Sequence, residues 1–307
     1  MPGRAMAHPD AACGAVAMAE TYGVPGVESL RVRANGITLH VAAAGPRDGR
    51  LVVLLHGFPE FWWGWRRQIA PLAAAGLRVV VPDQRGYNLS DKPAGVAAYA
   101  LDALADDVLG LADFFGRARF AVVGHDWGAA VAWHLAGRNP GRVERAAVLN
   151  GAQVASALGY ARAHPSQALR SWYVGFFQAP WLPERALGAA DYAWLRSAMA
   201  RSARPGTFSG ADLRRYRDAW ARPGALTAML NWYRALPRHA ASSRPGRIRV
   251  PVRMIWGDRD AFLDRGLAEA GVALCDRGEA FHLPDATHWV QHEEPERVNR
   301  LLLEFLA

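Results

Sequence analysis

The chain has 307 residues, of which 51% are hydrophobic and 21% charged, enough for one large α/β domain with an insertion. Its net charge of +8 comes from arginines that are scattered along the sequence rather than gathered in one stretch, which argues against a nucleic-acid partner. Two cysteines are too few for a disulfide framework or a zinc site, and no apolar run approaches the length of a membrane span, so we expect a cytoplasmic protein.

Residues 1–24 are rich in Ala and Gly but only weakly hydrophobic, which predicts a poorly ordered N-terminal extension rather than a secretory signal. The segment LRVRANGITLHVAAAG then predicts a β-hairpin that turns at Asn35-Gly36. Helical segments separate the next four strand-like runs, which are LVVLLHG, RVVVPDQRG, FAVVGHD and RVERAAVLNG. Buried strands that alternate with helices predict a mostly parallel sheet with helices on both faces.

The pattern changes in the middle of the chain. Residues 151–246 contain no strand-like run and are helical, rich in Trp and Tyr, and punctuated by Pro and Gly. Strand-like runs resume with VPVRMIWGDRD and EAFHLPDATH, and PERVNRLLLEFLA closes the chain as a helix. We therefore predict a core made of residues 25–150 and 247–307, interrupted by a helical cap of residues 151–246.

The segment AVVGHDWGAAVAW places Asp126 on a tight turn between a buried strand and a helix. This is the outline of a nucleophile elbow, with aspartate where many hydrolases have serine. Small neighbours, Gly124, Gly128 and Ala129, let the turn close and expose the carboxylate at the carboxyl end of a central strand. The backbone N–H of Trp127 opens the helix, where it favours an oxyanion. An aspartate that only caps the helix is the alternative interpretation.

Two further residues follow later strands in the order that a catalytic triad requires. Asp260 in IWGDRDAFL follows one strand, with Asp258 as the weaker candidate, and His288 in PDATHWVQHEEP follows the next. Nucleophile, acid, histidine is the chain order of such triads. Some enzymes with such a triad carry the acid after the preceding strand, but in this chain Asn150 stands at that position. In HGFPE, the loop after a strand predicts the Phe58 N–H as a second oxyanion-hole donor.

The motifs HGFPE, RGYNLSDKP, GHDWGA, NWYRALP and ATHWVQHEEPERVN together resemble the soluble epoxide hydrolases of the α/β-hydrolase superfamily, from about Glu28 to Leu306. The resemblance implies an α/β-hydrolase fold and an enzyme that converts a hydrophobic epoxide to a vicinal diol without cofactor or metal. It also implies that Tyr173, in RSWYVGFFQAP, and Tyr233, in MLNWYRALP, polarise and protonate the epoxide oxygen. Tyrosines that only pack the cap are the alternative.

An aspartate nucleophile suits an epoxide because the ring carbon is saturated and offers no carbonyl for water to attack. Attack by Asp126 gives an ester whose carbonyl belongs to the enzyme. His288, oriented by Asp260, can then activate water against that carbonyl, while the oxyanion hole stabilises the intermediate. Apolar residues that we expect to contact the substrate are Phe58, Trp127, Trp172, Phe177 and Trp232.

A haloalkane or haloacid dehalogenase with the same Asp-His-Asp triad is the alternative enzyme. Phe58 stands where many haloalkane dehalogenases hold the halide with Asn, and Trp127 and Ala130 stand where fluoroacetate dehalogenases carry carboxylate-binding arginines. A non-catalytic ligand receptor on the same fold is the alternative from another class. The sequence leaves open which epoxide is used, its stereochemistry and the oligomeric state.

Overall fold

The structure is a computed structural model that describes residues 21–239 and 246–307. The predicted N-terminal extension, residues 1–24, therefore lies almost entirely outside the described residues. Within its last four positions, Tyr22 stacks on the Trp62 ring with 5.9 Å between ring centroids. This contact attaches the start of the described chain to the core.

Eight strands of the described residues form one sheet. They are β1 (Glu28–Ala34), β2 (Ile37–Ala44), β3 (Arg50–Leu55), β4 (Leu77–Pro82), β5 (Phe120–His125), β6 (Val143–Leu149), β7 (Val252–Gly257) and β8 (Gly278–Leu283). Their order is β1-β2-β4-β3-β5-β6-β7-β8. Strand β2 is antiparallel to both neighbours, and the other pairs are parallel. The predicted hairpin is confirmed, since Asn35 and Gly36 both have positive φ and Ala34 pairs with Ile37.

Helices connect the strands and cover the sheet. They are α1 (Arg66–Ala74), α2 (Leu101–Phe114), α3 (Trp127–Arg138), α4 (Val154–Ala163), α5 (Pro165–Arg170), α6 (Trp172–Phe176), α7 (Leu182–Ser202), α8 (Gly210–Trp220), α9 (Ala225–His239), α10 (Gly266–Val272), α11 (Val290–Glu293) and α12 (Pro295–Leu306). Helix α12 shows why such segments fold as they do. Its buried residues Val298, Leu301, Leu302 and Phe305 recur at helical spacing and form one apolar face against the core.

Between β6 and β7, every regular element of the described residues is a helix, from α4 to α9. We call these six helices the cap. Helix α7 is interrupted at residues 189–192, where the backbone leaves helical geometry. All six residues of β5 are buried, as expected for a central parallel strand covered on both faces. The predicted α/β-hydrolase fold with a helical insertion is confirmed, and Asp126 follows β5 at the carboxyl edge of the sheet.

None of the helices in residues 21–239 and 246–307 has the length and hydropathy that crossing a bilayer requires. In the same part of the chain, no group of three or more His, Cys, Asp or Glu side chains is placed to hold a metal ion. The cytoplasmic location expected from the cysteine content stays a prediction.

Candidate active site

Asp126 lies on the tight turn between β5 and α3. Its φ of 51° is unusual for a residue with a side chain and marks local backbone strain. The turn is held by hydrogen bonds from the Asp126 N–H to the Leu149 carbonyl at 3.2 Å and from the Ala129 N–H to the Asp126 carbonyl at 3.0 Å. A Cβ on Gly124 or Gly128 would collide with neighbouring backbone, so both positions require glycine.

Two more glycines that the sequence analysis did not single out shape this turn. A Cβ on Gly57 would collide with the carboxyl group of Asp126, and one on Gly151 with the side chain of Ala129. Each glycine lies just beyond a neighbouring strand, at the carboxyl edge of the sheet. The absence of side chains at these points allows the loops after β3 and β6 to approach the Asp126 carboxylate.

Both predicted oxyanion-hole donors adjoin this carboxylate in the chain or in space. The Phe58 N–H donates to Asp126 Oδ1 at 2.8 Å, and the Phe58–Pro59 peptide is cis. Trp127 is the first residue of α3, so its N–H has no acceptor within the helix. The Phe58 contact is present in the structure, whereas the contribution of Trp127 stays a prediction.

The structure brings His288 between the two candidate carboxylates. His288 Nδ1 lies 2.7 Å from Asp260 Oδ2, and its Nε2 lies 3.7 Å from Asp126 Oδ2. Burial opposes a charged ring, but Asp260 and Asp126 outweigh burial and raise the pKa of His288 to about 9. The weaker acid candidate, Asp258, instead lies 2.5 Å from His282 and is not part of this arrangement.

Asp260 is completely buried and is held as an anion by its neighbours. Its Oδ1 accepts the Phe262 N–H at 2.7 Å, and its Oδ2 accepts an Asn150 side-chain N–H at 2.8 Å. Burial alone would raise the pKa of Asp260, but His288 and these hydrogen bonds outweigh it and lower the pKa. The His288 ring therefore faces a fixed negative charge.

Asn150 has a part that the sequence analysis missed. Besides donating to Asp260, its side chain accepts the Gly257 N–H at 2.8 Å and donates to the Gly257 carbonyl at 3.2 Å. Asn150 thus joins the end of β6 to the end of β7 and orients the acid. The sequence shows Asn150 only as a position where the acid is missing, and nothing there indicates that it contacts the acid on the next strand.

A buried polar cluster lies behind His288. The His125 ring donates from Nε2 to the His288 carbonyl at 2.8 Å, and its Nδ1 lies 3.4 Å from Glu60 Oε2. Glu60 also binds His292 at 2.7 Å and the Tyr216 hydroxyl of α8 at 2.6 Å. Burial alone would raise the pKa of Glu60, but His292 and His125 outweigh it and hold the pKa well below its usual range. The cluster supports the His288 backbone and attaches the cap to the core.

Asp126 lies where two cavities beneath the cap meet. Their volumes are about 450 Å³ and about 180 Å³, and Asp126, Tyr173 and Tyr233 border both. The larger cavity is also lined by Phe58, Leu169, Trp172, Phe177, Trp194, Leu195, Met199, Phe262 and His288. The smaller cavity is also lined by Trp127, Ala130, Val154, Ala157 and Leu236. Both linings are mainly apolar, and Asp126 and the two tyrosines are the polar groups that they share.

The two predicted tyrosines face each other across this junction, with ring centroids 6.0 Å apart. Burial, with the charge of Asp126 in addition, raises the pKa of both Tyr173 and Tyr233, so both hydroxyls stay protonated. The Tyr173 hydroxyl has no hydrogen-bond partner in residues 21–239 and 246–307 and can donate to a ligand. Tyr233 packs edge-on against Trp127, with 4.9 Å between ring centroids.

Four of the five predicted substrate contacts border a cavity: Phe58, Trp172 and Phe177 border the larger, and Trp127 the smaller. Trp232 borders neither, and this prediction needs correction. Its side chain is 1% exposed, and its indole N–H donates to the Arg85 carbonyl at 3.0 Å. Neighbouring side chains on a helix point about 100° apart, so Tyr233 faces the cavity and Trp232 faces the core. Lining residues of α7 such as Trp194 and Met199 were missed.

Comparison with known proteins agrees with this architecture. A family model described as the α/β-hydrolase fold matches residues 50–295. The AB hydrolase superfamily protein YfhM of Bacillus subtilis (strain 168) is 50% identical over 281 residues, which cover 92% of this chain and 98% of that protein. Epoxide hydrolase 3 of Mus musculus is 34% identical over 279 residues, which cover 90% of this chain and 75% of that protein.

The fold of a solved epoxide hydrolase is also similar. The crystal structure of the Bacillus megaterium epoxide hydrolase in complex with an inhibitor has a TM-score of 0.82 and 28% sequence identity, and the match covers 90% of this chain and 99% of that one. The chain therefore belongs to the epoxide hydrolase family of the α/β-hydrolase fold.

Proposed function

We propose that the protein is an epoxide hydrolase that converts a hydrophobic epoxide to a vicinal diol through an ester on Asp126. The observation that carries the proposal is the Asp126 carboxylate, with a backbone donor on one oxygen and His288 near the other. Tyr173 and Tyr233 border the same apolar cavities and can bind the epoxide oxygen. The similarity to proteins that are themselves named epoxide hydrolases supports it.

In the first step, the Asp126 carboxylate attacks one ring carbon, and the ring C–O bond breaks. The departing oxygen takes a proton from Tyr173 or Tyr233, which leaves a hydroxyalkyl ester and a tyrosinate. Such proton donation contributes about 10²–10⁴-fold to a rate. The tyrosinate then regains a proton from solvent or from His288, which is protonated in the free enzyme, so ring opening does not require His288.

In the second step, His288 acts as the base. Esterification removes the negative charge that lies 3.7 Å from His288 Nε2, so the pKa of His288 falls and the neutral ring is favoured. His288 takes a proton from water, and the hydroxide adds to the carbonyl carbon of the ester. The N–H groups of Phe58 and Trp127 stabilise the oxyanion. The ester C–O bond then breaks, and the departing alkoxide takes the proton from His288 and leaves as the diol. Asp126, left as a carboxylic acid by the added hydroxide, passes its proton to His288, which restores the carboxylate and the protonated ring.

The cavities indicate the substrate class. Because the two cavities meet at Asp126, an epoxide there has room for a larger substituent on one side and a smaller one on the other. Mainly apolar walls favour aryl or alkyl substituents over charged ones. The hydrogen-bonding groups at the junction would then hold the reacting ring, and apolar contacts would hold its substituents.

The two half-reactions can be separated by mass spectrometry of the intact protein. After mixing with a reactive aryl epoxide, we expect His288→Gln to open the ring and stall, so that the protein gains one substrate mass on the peptide containing Asp126. Asp126→Ala should show neither adduct nor turnover. Unlabelled His288→Gln protein that still forms diol would contradict the mechanism.

A matched panel of aryl and alkyl epoxides and alkyl halides tests the reaction itself. We expect diol from the epoxides and no halide release. Halide release without diol formation would favour a dehalogenase, and no turnover or adduct with any member would favour a receptor.

A further inference from the structure

Exposed apolar side chains are concentrated on one part of the molecule. Of the large hydrophobic side chains that the described residues expose, all but Phe114 on α2 lie on the cap helices or between them. They are Leu158, Leu169, Trp172, Trp181, Leu182 and Trp194. Contiguous exposed apolar surface in a monomer usually marks a binding surface.

Three of these side chains surround the entrance of the larger cavity. Leu169 is 76% exposed, Trp172 58% and Trp194 37%, and all three line that cavity. The rings of Trp172 and Trp194 stack with an interplanar angle of 14° and 6.2 Å between centroids. We call these three residues the mouth patch. The apolar surface of the cavity therefore continues outward onto the exterior of the cap.

The cap segment also carries the net positive charge. Residues 151–246 contain 13 basic and four acidic residues, whereas the rest of the chain contains 23 basic and 24 acidic residues. The four acidic side chains of the segment all form ion pairs, namely Glu184 with Arg234, Asp212 with Arg66, and Asp191 and Asp218 with Arg217.

Some cap arginines lie close to the mouth patch in the chain. Arg201 follows Trp194 by seven residues, two turns of α7, so the two side chains share a helix face. Arg170 follows Leu169 directly and also lines the cavity. Arg201 has no ion pair within the part of the chain that the structure describes, so its charge is free to meet an anionic surface.

We propose that the mouth patch docks the protein on an anionic lipid bilayer. Tryptophan is enriched at bilayer interfaces, where its ring is apolar and its N–H remains hydrated. Each arginine near an anionic bilayer strengthens binding by roughly fivefold. A second copy of the chain fits this surface less well, because it would bring two caps of the same net charge together.

Docking in this orientation directs the cavity entrance toward the lipid. A hydrophobic epoxide dissolved in the bilayer then enters the cavity past the mouth patch without crossing water. This consequence rests on the proposed function, whereas the docking itself does not.

The test is co-sedimentation with lipid vesicles in the absence of substrate. We expect the protein to bind phosphatidylcholine vesicles that contain phosphatidylglycerol, to be released at high salt, and to remain unbound with phosphatidylcholine alone. The double variant Trp172→Gln/Trp194→Gln should bind at least about tenfold more weakly, because binding scales with the apolar area inserted. Arg201→Gln should bind roughly fivefold more weakly. Phe114→Gln, which replaces an exposed ring of the core, is the matched control and should bind like the wild type.

Several outcomes would overturn the proposal. One is that the wild type fails to bind the anionic vesicles. Another is that the double variant binds them as well as the wild type does. A dimer in light scattering that the double variant loses would assign the mouth patch to a second copy instead. Binding of a single-stranded oligonucleotide in place of the vesicles would assign it to nucleic acid. Since no turnover is measured, a protein that docks but forms no diol would contradict the proposed function only.

Discussion

The core half and the cap half of the candidate site are held together by different forces. In the core, hydrogen bonds fix one oxygen of Asp126, both oxygens of Asp260 and one nitrogen of His288. In the cap, Tyr173 and Tyr233 are positioned mainly by ring packing against neighbouring aromatics. Hydrogen bonds fix the orientation of a polar group, whereas packing fixes the space that a side chain occupies. We therefore expect the core to respond sharply to the loss of a single contact and the cap to respond in proportion to what is removed.

The largest effect that would sharpen this comparison concerns the cap hydroxyls. Tyr233→Phe keeps the ring and removes only the proton donor, so we expect diol formation to fall by about 10²–10⁴-fold and remain measurable, because Tyr173 is left. The double variant Tyr173→Phe/Tyr233→Phe should form no diol. Steady-state assays measure the rates, and circular dichroism checks the fold. A double variant with near wild-type activity would make both tyrosines packing residues and favour a dehalogenase.

The core should respond to the loss of a single hydrogen bond, even one made by a residue that touches no substrate. Asn150→Ala removes the hydrogen bond to Asp260, and bonds to charged groups are worth about 1.5–3 kcal/mol. If the loss of that free energy appears in full as a higher activation barrier, because His288 is less well oriented, kcat should fall about 10–100-fold with little change in KM. Asn299→Ala on α12, whose side chain binds the Arg67 carbonyl, is the control. An Asn150→Ala enzyme with an unchanged pH profile and kcat would show that Asp260 needs no such partner.

The same division explains what the sequence could predict. The core motifs are local: Gly124 to Gly128 and the residues after β7 and β8 each indicate a strand and a turn, and sheet topology brings Asp126, Asp260 and His288 together. Asn150 was missed because its partners are 107 and 110 residues away in the chain. Glu60 and His125 were missed for the same reason, although both lie within the quoted motifs HGFPE and GHDWGA.

In the cap, the sequence indicates helices but not the faces they present. Tyr173 and Tyr233 were placed by resemblance to a family, and the residues of α7 that line the larger cavity were not recognised. The error at Trp232 arose there too, since composition alone does not distinguish the cavity face of a helix from its core face. Helix rotation depends on packing between helices that are distant in sequence, which a single sequence does not reveal.

The electrostatic coupling within the core can be measured without turnover. Asp126→Asn resembles the esterified state, because it removes the negative charge and keeps the shape. The pKa of His288, about 9 in the free enzyme, should fall in this variant because the charged ring loses one of its stabilising anions. Ring NMR signals followed against pH measure the value, and His288→Gln assigns the signal. Asp258→Asn, beside His282 rather than His288, is the control. An unchanged pKa in Asp126→Asn would mean that Asp126 does not control the base.

The smallest expected effect is a difference in stability between a buried and an exposed tryptophan of the cap. Both were predicted to contact the substrate. Trp232→Phe leaves the buried Arg85 carbonyl without its donor, so the free energy of unfolding should fall by about 1–3 kcal/mol. Trp172→Phe changes a side chain at the cavity entrance and should alter the free energy of unfolding by less than about 0.5 kcal/mol. We expect this variant to change the KM for bulky aryl epoxides instead. Urea unfolding and steady-state kinetics on both variants give the comparison. A large loss of stability in Trp172→Phe would place that residue in the packed core and remove it from the cavity entrance.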